Sequence, residues 1–188
     1  ENITLSKPKF LNETKEEIIT PSKKGTIMHL CLQHLDEKVD YDLEKIQNLI
    51  EELRAKEIIT TKEAESINKN KILEFTKSSI WKELKEAKEI QKEKPFYINI
   101  PANTIYEEKT NENILVQGII DLYYIDKNDN LNLVDYKTDY VEKGNENSLI
   151  TKYKKQLELY KKALEKSLEK QVKNTYIYSV YLNKEIRL

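Results

Sequence analysis

The stretch ILVQGIIDLYYIDKNDNLNLVDYKTDYV, residues 114–141, is where this sequence declares its fold. Two apolar runs rich in β-branched and aromatic residues, 114–125 and 131–137, flank DKNDN. Asp and Asn favour turns because their side chains bond nearby backbone, so the pattern is that of a β-hairpin. A hairpin centred on Asn128 sets Asp121 directly opposite Asp135, and strand alternation turns Lys137 to the same face as Asp135. Like charges opposed across strands repel, and burial raises the penalty. From these residues alone two readings stand. One is a Lys–Asp ion pair on a half-exposed edge. The other is a divalent cation between the carboxylates, as Mg²⁺ is held by one or two carboxylates with waters and phosphate.

Outward from the hairpin, the chain reads as helices, three strands, a long helix and a closing strand. Residues 22–35 carry apolar residues densely enough for a mostly buried helix, and 42–55 place Leu43, Ile46, Leu49, Ile50 and Leu53 on one stripe. Thr60 with Glu63 is a capping-box start for a third helix, and a fourth is expected around 79–90. Residues 95–106 alternate as a strand. A helix from about Ser148 to Lys170 and a strand over 172–182 complete an α/β domain. Residues 1–21, with Pro8 beside an apolar pair, read as a lead-in segment from a preceding domain. Residues 22–188 then form one domain, with a helical portion over 22–92 and an α/β core over 93–188.

The 188 residues suffice for one domain with a real core, and 12 Tyr at 38% hydrophobic content argue against disorder. A single Cys excludes a disulfide framework and any four-Cys zinc or iron–sulfur site, and Cys31 fits a small core residue. No run approaches the roughly 18 apolar residues of a membrane span, and no signal-peptide pattern heads the sequence. A soluble, cytoplasmic setting is expected. The net charge of −1 does not announce a nucleic-acid binder, but charge is unevenly spread. Residues 36–65 hold ten acidic against five basic side chains, whereas 148–173 hold eight Lys against three Glu. Lys152, Lys154 and Lys155 in that basic stretch are candidate phosphate contacts.

Taken together, GIID (118–121) and DYK (135–137) resemble the core of the PD-(D/E)XK nucleases, in their RecB-like branch. KKGTIMHLCLQ resembles that branch's Gly-Thr-x-x-His-x-x-x-Gln helix at Gly25, Thr26, His29 and Gln33. EKPFYI resembles its Glu-x-Pro-Phe strand entry at Glu93, and QLELY its Gln-x-x-x-Tyr helix at Gln156 and Tyr160. The PKFL lead-in and the TYIYSVYL ending are similar to the C-terminal nuclease domain of AddA-type helicase–nucleases. The resemblance implies a restriction-endonuclease-like fold: a mixed central sheet flanked by helices, with an N-terminal helical portion. It implies Mg²⁺ or Mn²⁺ held by His29, Asp121, Asp135 and the Tyr136 carbonyl, with Lys137 catalytic and Glu93 supporting. Gln33 would support the site, and Gln156 and Tyr160 would orient DNA phosphate or the Lys. The implied partners are single-stranded DNA, a helicase domain in the parent chain and an AddB-like second subunit, and the implied product carries a 5′-phosphate. The four-Cys iron–sulfur cluster of some relatives is missing, as is any Gly-x-x-x-x-Gly-Lys-Ser/Thr helicase loop. The chain is thus expected to be an excised domain. A stand-alone CRISPR-associated or phage-type exonuclease and a non-catalytic DNA-binding or subunit-docking domain are the alternatives.

Overall fold

The computed structural model describes residues 19–102 and 112–188. The lead-in around PKFL and the last part of the strand expected over 95–106 lie outside the described residues. Helices come first, each started by a side chain that satisfies an orphan amide. Thr20 accepts from Lys23 N–H to open α1 (Pro21–Gln33), and Pro21 is preset for the first turn. Asp42 caps α2 (Leu43–Ala55), and the Thr60/Glu63 capping box opens α3 (Thr61–Glu65). A helix not expected from the sequence follows, α4 (Lys69–Phe75), capped by Asn68. Ser78 caps α5 (Ser79–Lys85).

The helix expected to continue to residue 90 stops at Lys85. Residues from Glu89 onward already belong to strand β1 (Glu89–Pro101), which pairs along its length with β2 (Asn113–Ile125). Glu, Gln and Lys in EIQKEK favour helix locally, and the long antiparallel ladder overrides that preference. The hairpin partner β3 (Leu131–Lys137) joins β2 antiparallel, with Leu122 opposite Val134 and Ile125 opposite Leu131, the register centred on Asn128. Helix α6 (Asn147–Leu168) then crosses over, so that β4 (Val172–Ser179) runs parallel to β3. The closing strand ends at Ser179 rather than 182, and a short antiparallel β5 (Lys184–Arg187) follows it. The sheet is mixed, in the order β1-β2-β3-β4-β5.

Two cores sandwich this sheet. One packs α1 to α5 against Leu122, Tyr124, Val134, Tyr136 and Tyr178. Cys31 lies in it at 0% exposure. The other packs α6 against Phe96, Ile98, Ile120, Leu133 and Ile177. Strand β3 is buried on both faces, so burial there must be justified for every polar residue.

The strands β1 and β2 change faces part-way. In β1, Ile90 joins the helical-layer core while Phe96, Ile98 and Ile100 join the α6 core. In β2, Leu122 and Tyr124 join the first while Ile120 joins the second. Strict alternation would keep all these even-numbered residues on one face. The inversion falls between the pairs Lys92–Leu122 and Lys94–Ile120, where Glu93 stands across from Asp121 outside the ladder. Glu93 has φ 51°, a left-handed backbone that is disfavoured for a residue with a Cβ and that breaks the pleat.

Candidate active site

That break assembles the site. Glu93 lies across from Asp121, and Asp121 lies across from Asp135 one step beyond the last β2–β3 pair, so three carboxylates form a row over three strands. Asp121 Oδ2 accepts the Tyr136 N–H at 2.7 Å, where a ladder bond would otherwise form. Its other oxygen lies 3.4 Å from His29 Nδ1, delivered by α1. His29, Glu93 and Asp121 offer ligand atoms all within 4.8 Å of one another. The Tyr136 side chain is buried in the helical-layer core against the His29 ring, which leaves only its backbone at the site.

Asp135 is set deeper, at 1% exposure. Lys137 Nζ approaches its Oδ2 to 2.6 Å in a buried ion pair, the closest charge partner of that oxygen. Burial, with repulsion from Asp121, pushes the Asp135 carboxyl up to about 6 against the pull of Lys137. Burial and then Asp121 also raise Glu93. For His29 burial acts downward, but the hydrogen bond to Asp121 and the charges of Asp121, Asp135 and Glu93 outweigh it and raise the imidazole. All three therefore hold protons more readily than usual, as expected where carboxylates are crowded and partly buried. The donor set fits a divalent cation. Oxygen ligands suit Mg²⁺ and Mn²⁺, and one imidazole is tolerated better by Mn²⁺.

The other expected residues fall in three places. Gly25, Thr26, His29, Gln33 and Glu93 line one cleft of about 550 Å³ along α1, together with Thr138. Gly25 is there for space: a Cβ would come within 2.8 Å of Thr138 Oγ1. On α6, Gln156 donates to the Tyr160 hydroxyl at 2.6 Å, and Tyr160 packs edge-on against Phe96. It is Tyr153, two turns before Tyr160, whose ring lies 4.2 Å from Lys137 Nζ. The three lysines part company. Lys152 is ion-paired with Asp139, Lys154 lines a cleft beside Thr175 and Leu188, and Lys155 is exposed.

Two contributors were invisible to motif and period. Tyr153 belongs to the same α6 stripe as core residues, and only the fold brings it to Lys137. Lys92 forms an ion pair with Glu37 and a bond to the Leu35 carbonyl, which ties β1 beside Glu93 to the turn after α1.

A family model for the PD-(D/E)XK nuclease superfamily matches residues 5–186. The chain belongs to that superfamily. Its mixed five-stranded sheet with flanking helices is the restriction-endonuclease-like α/β fold, and the N-terminal helices are in place. Among curated relatives, the A-type subunit of the ATP-dependent helicase/nuclease of Clostridium novyi (strain NT) is 37% identical over 98% of this chain. The proteins of the same name from Clostridium perfringens (strain SM101 / Type A) and Thermoanaerobacter sp. (strain X514) are 38% and 41% identical over 97% and 95% of it. The chain spans only about 15% of the length of these relatives. No helix among the described residues is long and apolar enough to cross a membrane.

Proposed function

We propose that this nuclease domain is a Mg²⁺- or Mn²⁺-dependent deoxyribonuclease acting exonucleolytically on single strands. Its setting would be the cytoplasm, within a helicase/nuclease polypeptide paired with an AddB-like partner in double-strand break repair and recombination. The relatives' shared name, helicase/nuclease, supports the helicase connection. The observation that carries the reading is the row Glu93–Asp121–Asp135, met by His29 from α1 and by Lys137 two residues along β3.

His29, Glu93 and Asp121 would hold the cation, with the Asp135 carboxylate next along the same row. A divalent cation bound there would polarise the scissile phosphate and make water acidic enough to serve as nucleophile. Lys137, steered by Asp135 and backed by the Tyr153 ring, offsets negative charge that grows on the phosphoryl oxygens. Asp121 also locks the Tyr136 amide, so the β3 backbone at the site cannot drift from β2.

The test is cleavage of an end-labelled single strand by the purified chain with Mg²⁺. Asp135→Ala and Lys137→Ala should each lower the rate on the order of 100-fold or more, with cooperative melting retained. Near-normal rates from both folded variants, or undiminished cleavage in excess EDTA, would sink the assignment.

A further inference from the structure

Two tyrosines sit exposed at the end of the sheet, outside the machinery described above. Beyond Lys137, where β3 ends, the chain runs on through Thr138 and Asp139 to Tyr140. Ser179 pairs with Lys137 in the parallel ladder, and Val180 donates its N–H to the Lys137 carbonyl at 2.9 Å, so β4 leads directly to Tyr181. Both rings thus leave the carboxyl ends of adjacent parallel strands, where open α/β sheets place ligands. Tyr140 is 70% exposed and Tyr181 43%, and the ring centroids are 4.8 Å apart with planes at 67°.

The pair is braced rather than loose. Lys71 of α4 donates to the Tyr181 carbonyl at 2.6 Å and to Asn183 Oδ1 at 3.1 Å, and its ammonium lies 5.5 Å from the Tyr181 ring centroid. Beside the pair opens a second cleft of about 380 Å³, whose lining includes Lys24, Asn68, Lys71 and Tyr181. None of the described residues lining it is acidic. Gly25, Ile27 and Thr138 line both this cleft and the one over His29, so the two are neighbours that share a wall.

We propose that Tyr140 and Tyr181 form a stacking platform for the bases of a single strand whose phosphates run past Lys24 and Lys71 toward His29. The inference rests on the DNA-nuclease reading and adds to it a reason for strand choice. Aromatic faces bind any unpaired base by stacking, whereas a duplex keeps its base faces buried against each other. The basic lining accepts the backbone without reading sequence. A strand of nucleic acid uses both features, unpaired bases on the rings and phosphates on the lysines, beside the cleft that His29 lines.

Fluorescence anisotropy on two labelled strands of equal length decides the matter, one of oligo-dT and one entirely abasic, at low salt with EDTA to prevent cleavage. Wild type should bind oligo-dT more tightly than the abasic strand. Tyr140→Ala/Tyr181→Ala should weaken oligo-dT binding roughly 5- to 150-fold, the span for loss of one stacked base, and leave the abasic strand unchanged. Tyr140→Phe/Tyr181→Phe should restore wild-type behaviour. Melting curves confirm that the variants fold, which the exposure of both rings favours. Equal weakening on both strands, or no change on either, overturns the platform while the DNA reading stands; in the second case the pair is a protein-docking surface. Failure of wild type to bind either strand overturns the DNA reading itself.

Discussion

Asp135 shows how a single residue couples the site to the stability of the chain. Its native carboxyl keeps a proton up to about pH 6, whereas the ordinary value is 3.8. The stability gained from the neutral form is therefore fully present below about pH 4 and is lost as pH rises through about 6. His29 and Glu93, both raised, act in the same direction, each across its own range. A folded pKa lifted by about two units corresponds to on the order of 3 kcal/mol of destabilisation near neutral pH. Asp135→Asn should accordingly make the metal-free domain more stable than wild type at pH 7.5, with the advantage vanishing near pH 4. Thermal melts of both proteins in EDTA across that range measure it. A difference that stays constant with pH would show that Asp135 titrates as an ordinary carboxylate. The same protons must leave when a cation binds, so metal affinity should fall as pH drops below about 6.

At the scale of elements, the β1–β2 ribbon meets α6 through a tight contact at Gly118. A Cβ there would sit 2.7 Å from Phe96 Cε1 and 3.4 Å from Tyr160 Cε1. Phe96 is wedged between strand and helix at 9% exposure, so its ring has little room to yield. Gly118→Ala should destabilise the domain by about 1–3 kcal/mol, the usual range for overpacking, and urea melts would register it. An unchanged midpoint would mean that the ribbon and α6 slide apart freely. The hairpin next to this contact was legible beforehand because turn chemistry and alternation agree on Asn128, and the Asp121–Asp135 confrontation followed from it. Helix α4 and strand β5 were not legible, since seven and four residues are too few to display a period. The face inversion left no trace either. A left-handed Glu93 is imposed by the ribbon, and nothing in the side chain advertises it. His29 and Glu93 were reached only through resemblance to a family, because their meeting depends on how α1 lies over the sheet. Tyr153, Lys92 and the Tyr140–Tyr181 pair depend on that packing as well.

For the whole molecule, the decisive arrangement is that the proposed metal ligands come from different layers. His29 belongs to the helical layer, whereas Glu93 and Asp121 belong to the sheet. A cation binding all three ties the layers together and stabilises only the assembled state, by about 2.7 kcal/mol at a hundredfold excess over its dissociation constant. Mg²⁺ or Mn²⁺ should raise the melting temperature of wild type and do so much less for Asp121→Asn. A wild-type transition that ignores both ions at saturating concentration would argue that the row is an ordinary ion-pair cluster. Cys31 gives this layer contact a built-in clock. It is the single Cys of the chain, two residues beyond His29 on α1, fully enclosed, with its thiol pushed up to about 12 by burial. While α1 is seated, an alkylating reagent finds neither access nor thiolate. Each excursion of the helix exposes one sulfur, so the rate at which the intact chain gains the mass of one adduct times the lifting of the element that carries His29. No reporter group has to be engineered.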